Sequence, residues 1–418
     1  MSVGLTRREV LRFGVGGAAA LCAPLARGQA RPRLRVIGTH TTLQEPIRRR
    51  AEQDLGITIE YRPMGSAAAH QLASTRPEAF DVCEYASGGL RLLWHTGALR
   101  AIDPARIARW DAINGLTKTG RVAPGAPLGA GEAPYRMLYV QRDGSLGSTP
   151  TGEVSFVPFV HNADSFGYDT RAIPKGRAYE DESWGWLLDP ARRGRVALAN
   201  KPPIGLIDAA MAAQARGLAT FGDIGAMTRA EVGALMDLLV ERKRDGHFAG
   251  FWNSAPEAVR FMRTGRVVIE SLFSPGVATL NGLGTPAVYA APREGYRGWH
   301  GAMCLSASAS DEATDAAYRY MNWWLSGWAG AFVARQGYYV SIPELAKQHL
   351  SAPEWAYWYG GEPATAPLRG TDGRLVVQPG AVRNGGSYEE RMSRIAVWNT
   401  FPEAYEYTLE RWGELLHT

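Results

Sequence analysis

Cysteine is nearly absent. The 418-residue chain has three, and one, Cys22, falls in the N-terminal stretch LTRREVLRFGVGGAAALCAP. Cys83 and Cys304 remain, too few for a disulfide framework. Both sit in apolar, strand-like settings that read as buried free thiols, although an exported chain could join them. No long apolar run follows the N-terminal one, so no membrane span is expected in the mature chain. Basic runs are confined to RRR at 48–50 and ERKR at 241–244. Both lie in helix-like patterns and read as solvated faces, which leaves nucleic-acid binding without support. Missing too are a haem-attachment C-x-x-C-H, iron–sulfur spacing, a zinc H-E-x-x-H and a G-x-S-x-G elbow. No internal repeat points to a scaffold.

What is present begins with that N-terminal stretch. Gly14, Gly16 and Gly17 resemble a phosphate loop only superficially. No strand precedes them and Ala19 replaces the third glycine of the dinucleotide spacing. The stretch reads instead as an export leader: Arg7, Arg8 and Arg12 supply charge, Phe13–Ala23 the short apolar run, and CAPLA or ARGQA the cut. TRREVLR resembles the twin-arginine consensus, and Leu21 before Cys22 argues against a lipoprotein anchor. A periplasmic location follows as an expectation. Loss of Arg7, Arg8, Arg12, Arg27 and Glu9 with a leader of residues 1–30 lowers the net charge from +5 to about +2. The remaining length suits two domains.

From residue 33 the pattern alternates: RLRVIGTH as strand, TLQEPIRRRAEQDLG as helix closed by Gly56, ITIEYRPM as strand, SAAAHQLAS as helix and AFDVCEYAS as strand. That is the signature of an open α/β sheet. Residues 115–153, rich in Gly, Pro, Ser and Thr, read as an elaborated loop or hairpin. VSFVPFVHNADSFGYDT reads as two short strands broken by polar residues. Helices are expected at 204–219 and at 228–246, the latter opened by a Thr228/Glu231 capping box. The stripe Ala317, Tyr320, Met321, Trp324, Leu325 and Trp328 marks the core face of a long helix.

Several segments in order resemble the periplasmic solute-binding proteins of ABC transporters, of the spermidine/putrescine-binding type. They are FDVCEYASGGLRLLWHTGALRAID, FVPFVHNADSFGYDT, SWGWLLDPARRGRVAL, EAVRFMRTGRVVI and AAYRYMNWWLSGWAGAFVARQGYYVSIPE, spanning about residues 33–345. The resemblance implies a type II periplasmic-binding-protein fold: two α/β lobes, each a mostly parallel sheet flanked by helices, with a ligand cleft between them. The first lobe would hold 31–158 and 297–418, the second 159–296. The implied function is capture of a small polar solute, amine or carboxylate, for delivery to an ABC permease by hinge closure without chemistry or cofactor. A monomer is expected.

Cleft residues should come from loops at the carboxyl ends of strands. Thr39, His40 and Thr41 follow the first strand and offer polar groups at a helix start, unless Thr41 or Thr42 merely caps that helix. Ser87 follows the third strand, with Glu84 a weaker candidate. His161 and Asp164 interrupt an apolar strand and need partners. By segment matching, Phe273 and Trp299 fall where the polyamine binders place cleft aromatics, whose faces suit cations. Trp252 and Tyr338 fit core packing better. The family's acidic residue two positions beyond the Trp is Gly301 here, and NKPPIG carries Lys201 where that family has acidic residues. A diamine needs a carboxylate at each end, whereas a cleft lysine suits a carboxylate or phosphate. Altered specificity within a polyamine-like family is therefore expected. Glu270, Asp164 and Glu84 are possible compensating acids. The competing reading is a secreted enzyme or metal-binding protein on the same fold, with His40, His161 and His300 converging in the cleft.

Overall fold

The computed structural model describes residues 31–86 and 88–418. Residues 1–30, the stretch read above as an export leader, and Ser87 lie outside the described residues. Among the described residues, no helix is long and apolar enough to cross a membrane.

The first strand, β1 (Arg33–Gly38), leads into α1 (Glu45–Leu55), β2 (Thr58–Pro63), α2 (Ser66–Thr75) and β3 (Val82–Ala86), as the alternation predicts. A turn through Pro46 starts α1, and Gly56, in the left-handed conformation at φ 64°, ends it. The 48–50 arginines do form a solvated face. Arg49 pairs with Glu45, Arg48 with Glu52 and Arg50 with Asp54, each one helical turn apart, a spacing that adds a few tenths of a kcal/mol per pair. Neither Thr41 nor Thr42 caps α1; Gln44 occupies that position and makes no capping bond with its side chain.

The expected pair of short strands is instead one strand, β4 (Val157–Asp169), buried along its whole length. His161, Asn162, Asp164 and Ser165 do not break it, because neighbouring strands meet its backbone on both sides. After β4 come β5 (Val196–Ala199), α3 (Pro202–Ala215), α4 (Arg229–Arg244) and β6 (Phe248–Trp252). Next are α5 (Ala255–Arg263), β7 (Ile269–Leu272), α6 (Ser274–Gly282) and the equally buried β8 (Tyr296–Ser306). The predicted Thr228/Glu231 capping box opens α4. The Trp-rich stripe, expected on one long helix, lies mainly on α7 (Asp311–Trp324), with Tyr320, Met321 and Trp324 buried; Leu325 follows it, also buried, and Trp328 opens a separate helix, Trp328–Ala334. Residues 139–147 form a small hairpin inside the expected loop region. The chain ends with β9 (Ile395–Trp398) and α8 (Tyr405–His417).

The strands are ordered β6-β5-β7-β4-β8-β3-β1-β2. Pairing is parallel at both ends, β1 with β2 and β3, and β5 with β6 and β7. The middle is antiparallel, because β4 and β8 run against each other and against β7 and β3. Each end repeats one βαβ plan, so the two long central strands are the passages between two cores. One core gathers Val36, Ile47, Val82, Phe156 and Met321. The other gathers Phe166, Trp184, Leu206 and Leu235 and takes Trp412 and Leu415 of α8. β9 pairs with β8, and α8 then packs on α4. Gly205 permits that docking: a Cβ there would stand 2.3 Å from the Ala199 carbonyl oxygen and 2.5 Å from Trp412.

Candidate ligand-binding site

Three strands end around one cavity. Thr39 and Thr41 follow β1, Lys201 follows β5 at the N-terminus of α3, and Phe273 follows β7 at the N-terminus of α6. The central strands contribute Asp164 and Trp299. These six residues, with Ser66, Ile204, Tyr338 and Asn399, line a cavity of about 100 Å³. Ligands in open α/β sheets bind at such carboxyl ends.

The walls are aromatic. Trp299 and Tyr338 meet edge to face at 5.6 Å, and Phe273 meets Trp252 in the same way at 5.4 Å. The Lys201 ammonium lies 5.4 Å from the Phe273 ring centre and 5.7 Å from that of Trp252, within cation–π range. It makes no ion pair with any described residue. Burial, and Arg297 behind it, lower its pKa.

Asp164 is fully buried. Its Oδ1 accepts from the Tyr289 hydroxyl at 3.2 Å and from Asn162 Nδ2 at 3.1 Å. Its Oδ2 accepts no hydrogen bond and lies 3.6 Å from Arg297 Nη1. Burial raises its pKa to about 6, against the pull of Arg297, so it is mostly ionised at neutral pH. Arg297, its cross-strand partner, also donates from Nε to Asp208 Oδ1 at 2.7 Å and from Nη1 to Asn399 Oδ1 at 2.9 Å. With Arg297 matched by Asp208, the cavity presents one carboxylate and one ammonium.

The three histidines are placed elsewhere. His40 is exposed beside the cavity-lining threonines. His161 and His300 are cross-strand partners, both buried. His161 Nε2 bonds the Tyr388 hydroxyl at 3.0 Å, and His300 stacks on Phe156 at 5.4 Å. Burial lowers the pKa of each to about 3. None of the three lines this cavity, and no cluster of three or more His, Cys, Asp or Glu suited to a metal occurs among the described residues. Glu84 also points away: the Tyr320 hydroxyl donates to it inside the first core. Glu270 is buried with both oxygens unpartnered, and burial pushes its pKa well up. Trp252 is fully buried, as core packing predicts.

Sequence reasoning missed Ser66, Ile204 and Asn399, and it gave Tyr338 to the core, whereas that ring packs edge to face on Trp299 and lines the cavity. Ile204 lies one turn beyond Lys201, and Ser66 opens α2 directly after β2, so both follow from strand-end logic. Asn399 carries no such signal; it depends on where β9 docks. A separate cavity of about 110 Å³ is lined by Arg383 and Arg391. Their guanidinium groups donate to the Trp358, Gly337 and Asn384 carbonyls and so hold the C-terminal segment in place.

A family model for bacterial extracellular solute-binding proteins matches residues 49–358, and the chain belongs to that family. No curated protein matches by sequence. Solved structures share the periplasmic-binding-protein fold. The Tp0655 (TpPotD) lipoprotein of Treponema pallidum is 13% identical, with TM-score 0.65 over 92% of this chain and 100% of that one. The spermidine/putrescine ABC transporter substrate-binding protein of Streptococcus pneumoniae is also 13% identical, with TM-score 0.59 over 92% and 99%. The binding protein MotA from A. tumefaciens B6, in complex with glucopine, has 13% identity and TM-score 0.57 over 92% and 99%.

Proposed function

We propose that the protein captures a small zwitterionic solute, of the amino-acid type, in the cavity between Lys201 and Asp164 and presents it to an ABC permease. The observation that carries this reading is the charge pair itself. Asp164 is the one carboxylate among the lining residues and Lys201 the one ammonium. A solute carboxylate on Lys201 and a solute ammonium on Asp164 would satisfy both. A diamine would set its second cation against Lys201, and an unpaired buried charge costs several kcal/mol. Thr39, Thr41 and Asn399 supply neutral hydrogen-bonding groups between the two.

The two cores and the two central strands support hinge closure of two lobes, 31–158 with 297–418 and 159–296, with α8 returned to the second core. The family is extracellular, and the leader of residues 1–30 carries the paired arginines of twin-arginine export. The role is binding without turnover, as a monomer. The test is native mass spectrometry of the purified protein. A retained zwitterion, lost in Lys201→Ala, supports the reading. A retained polyamine, or a zwitterion bound as tightly by Lys201→Ala, overturns it.

A further inference from the structure

The polar cavity does not end at Lys201. Ser66, Lys201, Ile204 and Asn399 also line a second chamber of about 250 Å³, more than twice the first. Its walls are of a different kind. Pro202, Pro203 and Ile204 come from the start of α3, and Phe401, Tyr405 and Leu409 from the C-terminal segment, with Leu92 opposite. The hydroxyl of Tyr85, which also lines it, is already engaged with His70 Nδ1 at 2.9 Å and with the Gly88 carbonyl at 3.1 Å.

Among the described residues, six large apolar side chains are exposed. Two of them, Leu92 at 42% and Leu409 at 40%, line this one chamber. Phe401 closes over Gly89, where the backbone φ is 107° and a Cβ would stand 3.1 Å from the ring. The chamber is thus an apolar space opening from a charged one, with a lysine at the junction.

We infer that the solute is amphipathic: its charged head sits between Lys201 and Asp164, and an aliphatic extension lies in the second chamber against Pro203, Phe401 and Leu409. This rests on the capture role proposed above and specifies its substrate class. Each methylene transferred from water to such a wall contributes about 0.8 kcal/mol, roughly fourfold in affinity.

The test is calorimetry with three homologous series on the same protein: α-amino acids from alanine to norleucine, n-alkylamines from propylamine to hexylamine, and carboxylates from butyrate to heptanoate. The expected result is a gain of about fourfold per methylene in the amino-acid series. That gain should disappear in Ala67→Phe, which fills the chamber from the exposed face of α2, with alanine affinity unchanged. The ranking of the three series at equal length tests the zwitterion reading; the dependence on length tests the chamber. A length dependence confined to amines or carboxylates refutes the zwitterion and upholds the chamber. No length dependence in any series, or one that survives Ala67→Phe, overturns the inference.

Discussion

Arg297 on β8 and Asp208 on α3 form an ion pair with neither side chain exposed, Nε to Oδ1 at 2.7 Å. The pair fastens the helix that begins at Lys201 to a strand that runs between the two cores. Arg297 also lies 3.6 Å from Asp164, so removing the arginine leaves Asp208 and Asp164 buried without a cation, which costs about 3–5 kcal/mol. Arg297→Met should therefore lower the unfolding free energy read from urea denaturation by an amount of that order. A loss under 1 kcal/mol, the scale of an exposed pair, would contradict the geometry.

Lys201 should trade stability for binding. Its ammonium lies against aromatic rings without a carboxylate partner, and burial lowers its pKa. Lys201→Met should raise the melting temperature of the ligand-free protein. The same change should weaken the retained solute by about 2 kcal/mol, roughly 30-fold, the worth of one charge-assisted hydrogen bond. Scanning calorimetry and titration calorimetry read the two effects separately, and both moving in one direction would refute the assignment.

Glu84 should make stability fall as pH rises. Burial lifts its pKa from 4.5 to about 7, against hydrogen bonding from Thr42, Tyr320 and Trp324. The native state therefore holds a proton that the unfolded chain releases. Its contribution is complete below about pH 4.5 and lost as pH climbs through 7. His161 and His300 act with the opposite sign. Their depressed values give stability above the ordinary imidazole range that is lost as pH falls toward 3. Subtracting the wild-type profile from that of Glu84→Gln cancels the histidines. The difference should grow in favour of the variant between pH 4 and pH 8, by about 3 kcal/mol at most. A flat difference curve would exclude the shift.

Cys83 and Cys304 are cross-strand partners on β3 and β8, both fully buried, and burial pushes both thiols up. Reactivity follows the thiolate. The mature protein should give no fast reaction with an aromatic disulfide reagent until denaturant is added, when both thiols should titrate. Rapid native labelling of either would be incompatible with this packing.

The first βαβαβ stretch was legible because each element there is decided locally, by a turn at Pro46, a stop at Gly56 and apolar runs of strand length. Thr39 and Thr41 were legible for a related reason: they follow a strand, and strand ends in this architecture face one cavity; Lys201 and Phe273 were reached through the family resemblance. β4 misled because polarity at His161 and Asp164 resembles a break. What keeps the strand whole is pairing with residues about 100 or more positions away, at 269–272 and 297–303. The same non-locality hid Asn399, which reaches the cavity only because β9 docks beside β8. It also made the histidines look convergent, when His161 and His300 pair across strands away from the cavity and His40 faces solvent.

The route of the last 25 residues has a mechanical consequence. The chain passes between the two cores along β4 and along β8. It passes a third time after β9, to plant Trp412 and Leu415 in the second core. Two side-by-side straps leave a pair of bodies free to twist as well as to fold together. A third strap, anchored at its far end by a buried tryptophan, resists the twist. The hinge closure proposed above would have to bend all three at once, which would confine it to the one axis they share and bring Lys201 and Trp299 to the same mutual position each time.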